Sequence, residues 1–242
     1  GLRALAVLGV ILFHYNPELL PGGYIGVDVF FVISGFLITS ILLNKKTKAD
    51  YHFFSTIKQF YVSRFTRIAP AYFVMLIAVS LLVAILFIPS DHTIYSKSLE
   101  KALYFNSNHY FAGFGDYFAP ANYEQPLLHT WSLAVEIQFY LLIPFLILLL
   151  PLKTLKATFI LLIFVLTSIA EYRLRFQGVE QETYYSLYAR IPEFLLGGLA
   201  ALYIGSFAGG GRNMLNTSLS CVGLVMMAGA FWLKPTGQVG GY

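Results

Sequence analysis

The sequence predicts an all-α fold: a polytopic integral membrane helical bundle with about seven transmembrane helices. Of its 242 residues, 57% are hydrophobic and 12% are charged, whereas soluble domains average about 45–50% apolar and about 25% charged residues. Long apolar runs are the second observation, because one membrane-spanning helix needs about 20 predominantly apolar residues. Together they exclude soluble enzyme folds, disordered chains and coiled coils.

Seven runs are candidate spans, and they cover residues 2–15, 24–43, 71–88, 131–150, 155–170, 191–204 and 215–233. Backbone amides in hydrocarbon must be hydrogen-bonded within their own segment, and the runs lack the alternation of barrel strands, so we predict helices. Because Gly1 opens directly on an apolar run and the other end has no closing span, we interpret residues 1–242 as a single domain truncated at both ends.

Lys and Arg residues are distributed unequally between the two sides of this arrangement. Ten fall on one side and six on the other, and the richer side is expected to be cytoplasmic. The first span then runs outward, and the loops 17–23, 89–130 and 171–190 face away from the cytoplasm. The net charge of +4 is thus attributed to cytoplasmic loops, and no nucleic-acid partner is predicted.

Two further helices are predicted between the spans. Residues 53–70 alternate apolar and basic side chains with helical spacing, which predicts an amphipathic cytoplasmic helix ending near Pro70, where the third span follows. A second helix is predicted over residues 96–105, in the longest outer loop. The single cysteine, Cys221, excludes an internal disulfide and a cysteine metal site.

Arg3 and His14 are the ionisable residues of the first span. Eleven residues are close to three helical turns, so the two side chains share one face, about 16 Å apart along the axis. Ionisable groups within a span usually face a bundle interior or a watery cavity. We interpret His14 as a functional residue, with an interfacial histidine bonded to a loop as the alternative.

Glu136 lies inside the fourth predicted span, and His129, Ser132 and Tyr140 fall on the same helical stripe by their i, i+3 and i+4 spacing. The stripe thus surrounds the Glu136 carboxylate with polar side chains. Glu136 then has either a catalytic role or a structural one, as the centre of hydrogen bonds between helices. For Asp28, followed by Ser34 and Thr39, we favour a structural contact between helices.

Arg64 and Arg67 are one helical turn apart, so their guanidinium groups share a face at the predicted cytoplasmic surface. Arg binds phosphate bidentately and keeps its charge, although anionic lipid headgroups are an equally simple partner. No phosphate-binding loop motif or metal cluster is evident. These residues favour acyl transfer over phosphoryl transfer, with His14 as general base or transient acyl carrier.

Five motifs resemble, in order, those of the acyltransferase-3 family of bacterial membrane O-acyltransferases. They are GLRALAV (1–7) with His14, GGYIGVDVFFVISGFLIT (22–39), RFTRIAPAY (64–72), HTWSLAVEIQFY (129–140) and YARIPEFLLG (188–197). The resemblance implies a membrane acyltransferase domain of about ten spans in the bacterial plasma (inner) membrane. It also implies transfer of an acyl group, usually acetyl, from coenzyme A to a hydroxyl of an extracytoplasmic glycan, as in polysaccharide O-acetylation.

The resemblance also implies roles for individual residues. By this resemblance His14 is the catalytic histidine, and Glu136 supports or orients the reacting groups. Arg3, Arg64 and Arg67 are expected to bind the coenzyme A donor. A substrate-site wall is implied for Trp131, Ser132, Gln138 and Tyr140. The expected partners are membrane lipids, acyl-CoA as donor substrate and a glycan acceptor, with no permanently bound cofactor and no metal.

Charged residues within membrane spans are also compatible with two other functions. A non-catalytic transporter or flippase for a lipid-linked glycan would use these charges to line a pathway. A membrane assembly or sensor component would not depend on His14 for acylation.

Overall fold

The computed structural model describes residues 1–113, 125–207, 223 and 225–232, and all regular structure within them is helical. The helices are α1 (Leu2–Tyr15), α2 (Gly26–Lys46), α3 (Phe53–Leu86), α4 (Pro89–Leu103), α5 (Ser107–Ala112), α6 (Thr130–Leu149), α7 (Leu152–Tyr172), α8 (Glu180–Tyr185) and α9 (Leu187–Phe207). A 3-10 turn, Gly23–Ile25, precedes α2, and a π-helical turn, Arg173–Gln177, follows α7. Residues 225–232 are also helical.

Four described segments are long and apolar enough to cross a membrane: Gly23–Lys46, Phe53–Leu86, Thr130–Leu149 and Leu152–Gln177. Leu2–Tyr15 is a shorter apolar helix. The all-helical class is therefore confirmed for the described residues, whereas seven spans stay a prediction. The predicted span 191–204 lies within α9, and that at 215–233 is described only at 223 and 225–232. Cys221 and residues 114–124 lie outside the described residues.

The predicted helix boundary at Pro70 is wrong. A single helix, α3, runs from Phe53 to Leu86 with Pro70 inside it. Proline removes one backbone donor, but spanning helices tolerate it because neighbouring groups and local adjustments satisfy the freed carbonyl. The amphipathic segment and the third predicted span are consequently continuous, and both Arg64 and Arg67 belong to a candidate span.

The helix predicted at 96–105 begins seven residues earlier in the structure than the sequence predicts. Its counterpart α4 begins at Pro89, which occupies the first turn, where a missing N–H costs no helical hydrogen bond. After α4, Phe105 has a positive φ of 52°, a conformation that costs a bulky side chain about 1–2 kcal/mol. Its ring stacks on Tyr72, with the ring centroids 4.9 Å apart, and this contact helps to hold the strained residue.

The chain divides into two compact units. Unit 1 contains Gly1–Ile41, Pro151–Ile169 and Arg190–Gly241, and unit 2 contains Leu42–Leu150, Ala170–Ala189 and Tyr242. Each unit has buried apolar side chains of its own, including Phe31 and Phe194 in unit 1 and Phe60 and Phe111 in unit 2.

In unit 1, α2 and α9 approach each other at two glycines. A Cβ atom on Gly35 would collide with the backbone of Phe194, and one on Gly197 would collide with the backbone of Val32. Small residues allow this close backbone approach between membrane helices. Beside the crossing, the rings of Phe31 and Phe194 stack with their centroids 4.6 Å apart.

Gly35→Ala is expected to destabilise the protein by about 1–3 kcal/mol, because a methyl group forced against backbone cannot be accommodated by a side-chain movement. Thermal unfolding in detergent measures the loss. Gly229→Ala is the matched control, since a Cβ there meets no atom of the described residues within 4 Å. Equal unfolding temperatures for the two variants would contradict the close crossing.

In unit 2, α6 is held by side chains from two other segments. Lys46 Nζ donates to the carbonyls of Ile147 at 2.8 Å and Leu150 at 2.6 Å. These carbonyls belong to the end of α6, where cations interact favourably with the helix dipole. The Tyr61 hydroxyl of α3 donates to the carbonyl of Leu141 at 2.9 Å. Both contacts fix α6, the helix that carries Glu136.

Candidate active site

Arg3 of unit 1 is held by two side chains of α2. Its Nη2 donates to the buried Ser34 Oγ at 2.8 Å, and its guanidinium carbon lies 5.0 Å from the centroid of the Phe30 ring. A hydroxyl partner and an aromatic face orient the planar guanidinium group. Arg3 is thereby held at a defined position at the start of α1.

His14 lies near the opposite end of α1. Its Nδ1 is 2.9 Å from the carbonyl oxygen of Val10, and its ring meets that of Phe13 edge to face, with centroids 5.3 Å apart. A carbonyl oxygen only accepts hydrogen bonds, so Nδ1 must carry a proton. In the neutral ring the basic lone pair is then on Nε2, which can act as a base or a nucleophile.

Unit 1 also contains a charged cluster in which Arg190 lies between two carboxylates. Arg190 Nη1 is 3.1 Å from Asp28 Oδ1 and 2.9 Å from Glu193 Oε1. Asp28 lies in the first turn of α2, where the helix dipole favours a negative charge. Asp28 thus connects α2 to α9, as the structural interpretation predicts.

Glu136 of unit 2 is buried in α6 and accepts a hydrogen bond from the Tyr140 hydroxyl. The Tyr140 ring meets that of Phe60 edge to face, with centroids 6.2 Å apart. Phe60 in turn lies under Arg64, whose guanidinium carbon is 5.8 Å from the ring centroid. This series of contacts brings Arg64 and Glu136 into one packed cluster, whereas Arg67 is exposed on α3.

The remaining residues of the predicted wall also lie in unit 2, where Tyr185 and Asn108 link Trp131 to Gln138. Trp131 is buried against Tyr184 and Tyr185, with centroids 5.3 and 5.1 Å away. Ser132 Oγ donates to the carbonyl of His129 at 3.2 Å. Gln138 donates to the Phe105 carbonyl at 3.0 Å and to Asn108 Oδ1 at 2.8 Å.

The predicted site residues are therefore divided between the units, with Arg3 and His14 in unit 1 and the other seven in unit 2. Within unit 2, contacts link Arg64, Tyr140 and Glu136. Sequence reasoning did not single out Arg190 and Glu193 as a charged pair or Asn108 as a partner of Gln138. The i, i+3 spacing of Arg190 and Glu193 was a visible signal, but nothing local indicated Asn108. No group of three metal-binding side chains occurs among the residues described.

The helical fold, the apolar spans and the buried charges define a membrane-type helical protein. The chain belongs to the acyltransferase-3 family, because the family model described as "Acyltransferase domain" matches residues 1–240. This match covers all nine predicted site residues.

Relatives named as acetyltransferases support the same family. A protein of Staphylococcus aureus (strain COL) named "Putative O-acetyltransferase" is 38% identical over 208 residues, which are 83% of this chain and 33% of the relative. The "Peptidoglycan O-acetyltransferase OatA" of Listeria monocytogenes is 41% identical over 145 residues, 60% of this chain and 23% of the relative. The chain thus spans a third or less of the length of these two relatives.

A third relative is closer in length. An "Uncharacterized protein" of Haemophilus influenzae is 39% identical over 184 residues, 73% of this chain and 74% of the relative. No solved structure matches the chain.

Proposed function

We propose that the protein is a multi-pass O-acyltransferase of the bacterial plasma membrane. It moves an acyl group, usually acetyl, from coenzyme A in the cytoplasm to a hydroxyl of a glycan on the other side. Residues 1–242 belong to a single membrane domain with about seven spans, which include α1 and α9. Membrane lipids, acyl-CoA and the glycan acceptor are its partners.

The arrangement of α1 is the observation that carries this proposal. One helix holds an oriented guanidinium, Arg3, near one end and an imidazole with a defined basic nitrogen, His14, near the other. The rise between them, about 16 Å, is similar to the length of the pantetheine arm of coenzyme A. A donor whose phosphates are bound near Arg3 can therefore present its thioester near His14.

The donor is also expected to contact α3. Arg64 and Arg67 are one turn apart, and a pair of guanidinium groups matches the diphosphate and phosphate groups of coenzyme A. Arg64 belongs to the packed cluster of Glu136, Tyr140 and Phe60. In this proposal Glu136 orients the reacting groups, and the substrate-site wall consists of Trp131, Ser132, Gln138 and Tyr140.

The reaction is tested with acetyl-CoA that carries a radiolabel in its acetyl group. Cells with and without the full-length protein supply membrane vesicles, and label is followed into envelope glycans. Protein-dependent labelling of glycan hydroxyls is expected. Movement of a lipid-linked glycan without labelling would instead support a transporter and reject the enzyme.

Changing Arg64 and Arg67 together to Ala is expected to raise the KM for acetyl-CoA by at least about tenfold, because charge-assisted hydrogen bonds contribute about 1.5–3 kcal/mol each. Steady-state kinetics of the full-length protein measure this change. The control removes two exposed cations of the same predicted side, Lys48→Ala with Lys58→Ala. If both double variants had the same KM, the guanidinium pair would have only a lipid-binding or topological role.

A further inference from the structure

The Gln138 amide makes two hydrogen bonds through one of its two polar atoms. Nε2 donates to the Phe105 carbonyl and to Asn108 Oδ1, at 3.0 and 2.8 Å. Oε1 is buried, and none of the described residues donates to it. A buried amide oxygen without a donor is costly, so in the working protein a ligand or an ordered water is expected to supply that donor.

The neighbours of Gln138 determine which way its amide points. The Phe105 carbonyl can only accept, so the NH2 group must face it. Asn108 Nδ2 donates to the Tyr185 carbonyl at 3.3 Å, which leaves Asn108 Oδ1 facing Gln138. A rotation of either amide by 180° would place oxygen against oxygen. The amide orientation is therefore fixed, and Oε1 can only accept a hydrogen bond from a donor group.

Trp131 lies on the same face of α6 as Gln138, and two aromatic rings of α8 pack against it. Trp131 precedes Gln138 by seven residues, or close to two turns, so the two share a helical face. Trp131 contacts the rings of Tyr184 and Tyr185, and Tyr185 is also the residue whose carbonyl binds Asn108. Trp131 and Tyr185 are buried, whereas Tyr184 is partly exposed at the edge of the cluster. An aromatic ring beside a fixed amide suits a ligand that has apolar ring faces and hydroxyl edges, which is the chemistry of a sugar.

The predicted topology places this cluster on the acceptor side. α5, α8 and the first residues of α6 come from the segments 89–130 and 171–190 and from the start of the fourth span, which the Lys and Arg distribution assigns to the outer face. The proposed glycan acceptor lies on that face.

We propose that Gln138 Oε1 accepts a hydrogen bond from a hydroxyl of the acceptor glycan, and that Asn108 is a positioning residue that fixes the Gln138 amide for this contact. The inference rests on the proposed acyl transfer. It assigns an acceptor subsite to the cluster of Asn108, Trp131, Gln138, Tyr184 and Tyr185.

The test compares wild type with Gln138→Met, which preserves side-chain length and removes the amide. The acceptor probe is the N-acetylglucosamine–N-acetylmuramic acid disaccharide, chosen because one relative is named for peptidoglycan. The acceptor KM is expected to rise about five- to tenfold, as for one lost hydrogen bond, with an unchanged KM for acetyl-CoA. In the control Gln181→Met, whose amide donates to the Phe111 carbonyl, both KM values should stay within about twofold of wild type.

Monodeoxy analogues of the disaccharide separate hydroxyl binding from a change in folding. Removing the hydroxyl that Gln138 binds should raise the acceptor KM for wild type and leave it unchanged for Gln138→Met, because the partner is already absent. Asn108→Leu should lose the same discrimination. A variant that merely perturbs packing would still discriminate between the two sugars, and this result would overturn the positioning role of Asn108.

The two proposals fail differently. If label from acetyl-CoA never enters envelope glycans, the acyltransferase proposal itself is wrong. If label enters them but Gln138→Met transfers to the disaccharide with the wild-type acceptor KM, Oε1 binds only an ordered water and the acceptor subsite is wrong. Failure of wild type to acylate this disaccharide while it labels envelope glycans would also overturn the subsite as assigned.

Discussion

Replacing His14 with Ala is expected to lower the rate of acyl transfer by a factor of about 10² to 10⁴, the range over which a positioned general acid or base contributes to catalysis. The cost to folding should be small, because the His14 side chain is exposed. Activity and stability are thus expected to separate at this residue. The rate of glycan labelling, normalised to the amount of inserted protein, measures the effect.

The physical reason lies in the two ring nitrogens. Nδ1 is bound to the Val10 carbonyl and therefore carries a proton, so Nε2 is the basic nitrogen of the neutral ring. As a general base, Nε2 takes the proton of the acceptor hydroxyl while its oxygen attacks the thioester carbonyl and the thiolate of coenzyme A leaves. As a carrier, Nε2 attacks the thioester carbonyl and expels the thiolate of coenzyme A, and the acceptor hydroxyl then attacks the acyl-imidazole, so that the acyl group passes to the hydroxyl oxygen and the hydroxyl proton to the released Nε2.

Two measurements accompany this variant. His52→Ala is the control, because His52 is another exposed histidine, immediately before α3, and has no assigned role; it should retain wild-type rates. Rapid quenching with labelled donor and no acceptor distinguishes a carrier from a base, since only the carrier accumulates label on His14. Near-normal transfer by His14→Ala would remove this residue from the reaction in either role.

The sequence predicted those features that depend on local periodicity and composition. Apolar runs of span length fixed the all-helical class, and i, i+4 spacing placed Tyr140 against Glu136, as the structure has it. The boundary at Pro70 was wrong because a proline inside a membrane helix is tolerated when other groups satisfy the freed carbonyl. Local propensity alone does not contain that information.

The features that sequence reasoning missed are contacts between distant segments. Arg190 binds Asp28 across 162 positions of the chain, and Asn108 binds the Tyr185 carbonyl across 77. Such pairs depend on which helices become neighbours, and the hydrophobic pattern of each helix does not determine this. The close crossing of Gly35 and Gly197 belongs to the same class, because a glycine in a single sequence does not identify the helix that approaches it.

Replacing Arg190 with Met is expected to reduce the free energy of unfolding by about 1–3 kcal/mol, between the contribution of an exposed ion pair and the cost of removing one partner from a fully buried one. The Arg190 side chain is 12% exposed and lies between Asp28 and Glu193, with 36% and 20% exposure. Without the guanidinium, two carboxylates face each other inside a helical bundle with no opposite charge between them. Met matches the length and apolar stem of Arg, so lost packing contributes little. Unfolding in detergent, followed by intrinsic fluorescence, gives the free energy.

Arg175→Met is the matched control, because Arg175 is also paired with a carboxylate but is exposed. Its Nε lies 2.8 Å from Glu171 Oε2, and the two side chains are 75% and 52% exposed. Exposed pairs contribute about 0–1 kcal/mol, so this variant should be close to wild type. Equal losses for the two variants would show that the Arg190 ion pairs contribute no more to stability than an exposed pair does.

A second comparison isolates the charge interaction itself. If the destabilisation of Arg190→Met comes from uncompensated carboxylates, adding Asp28→Asn and Glu193→Gln should restore part of the lost stability, because neutral amides need no counter-ion. The three changes would then be non-additive, with the combined variant more stable than the sum of the separate effects allows. Additive losses would mean that each residue contributes independently and that the cluster is not a unit. Recovery would show instead that the guanidinium connects α2 to α9 by neutralising charge.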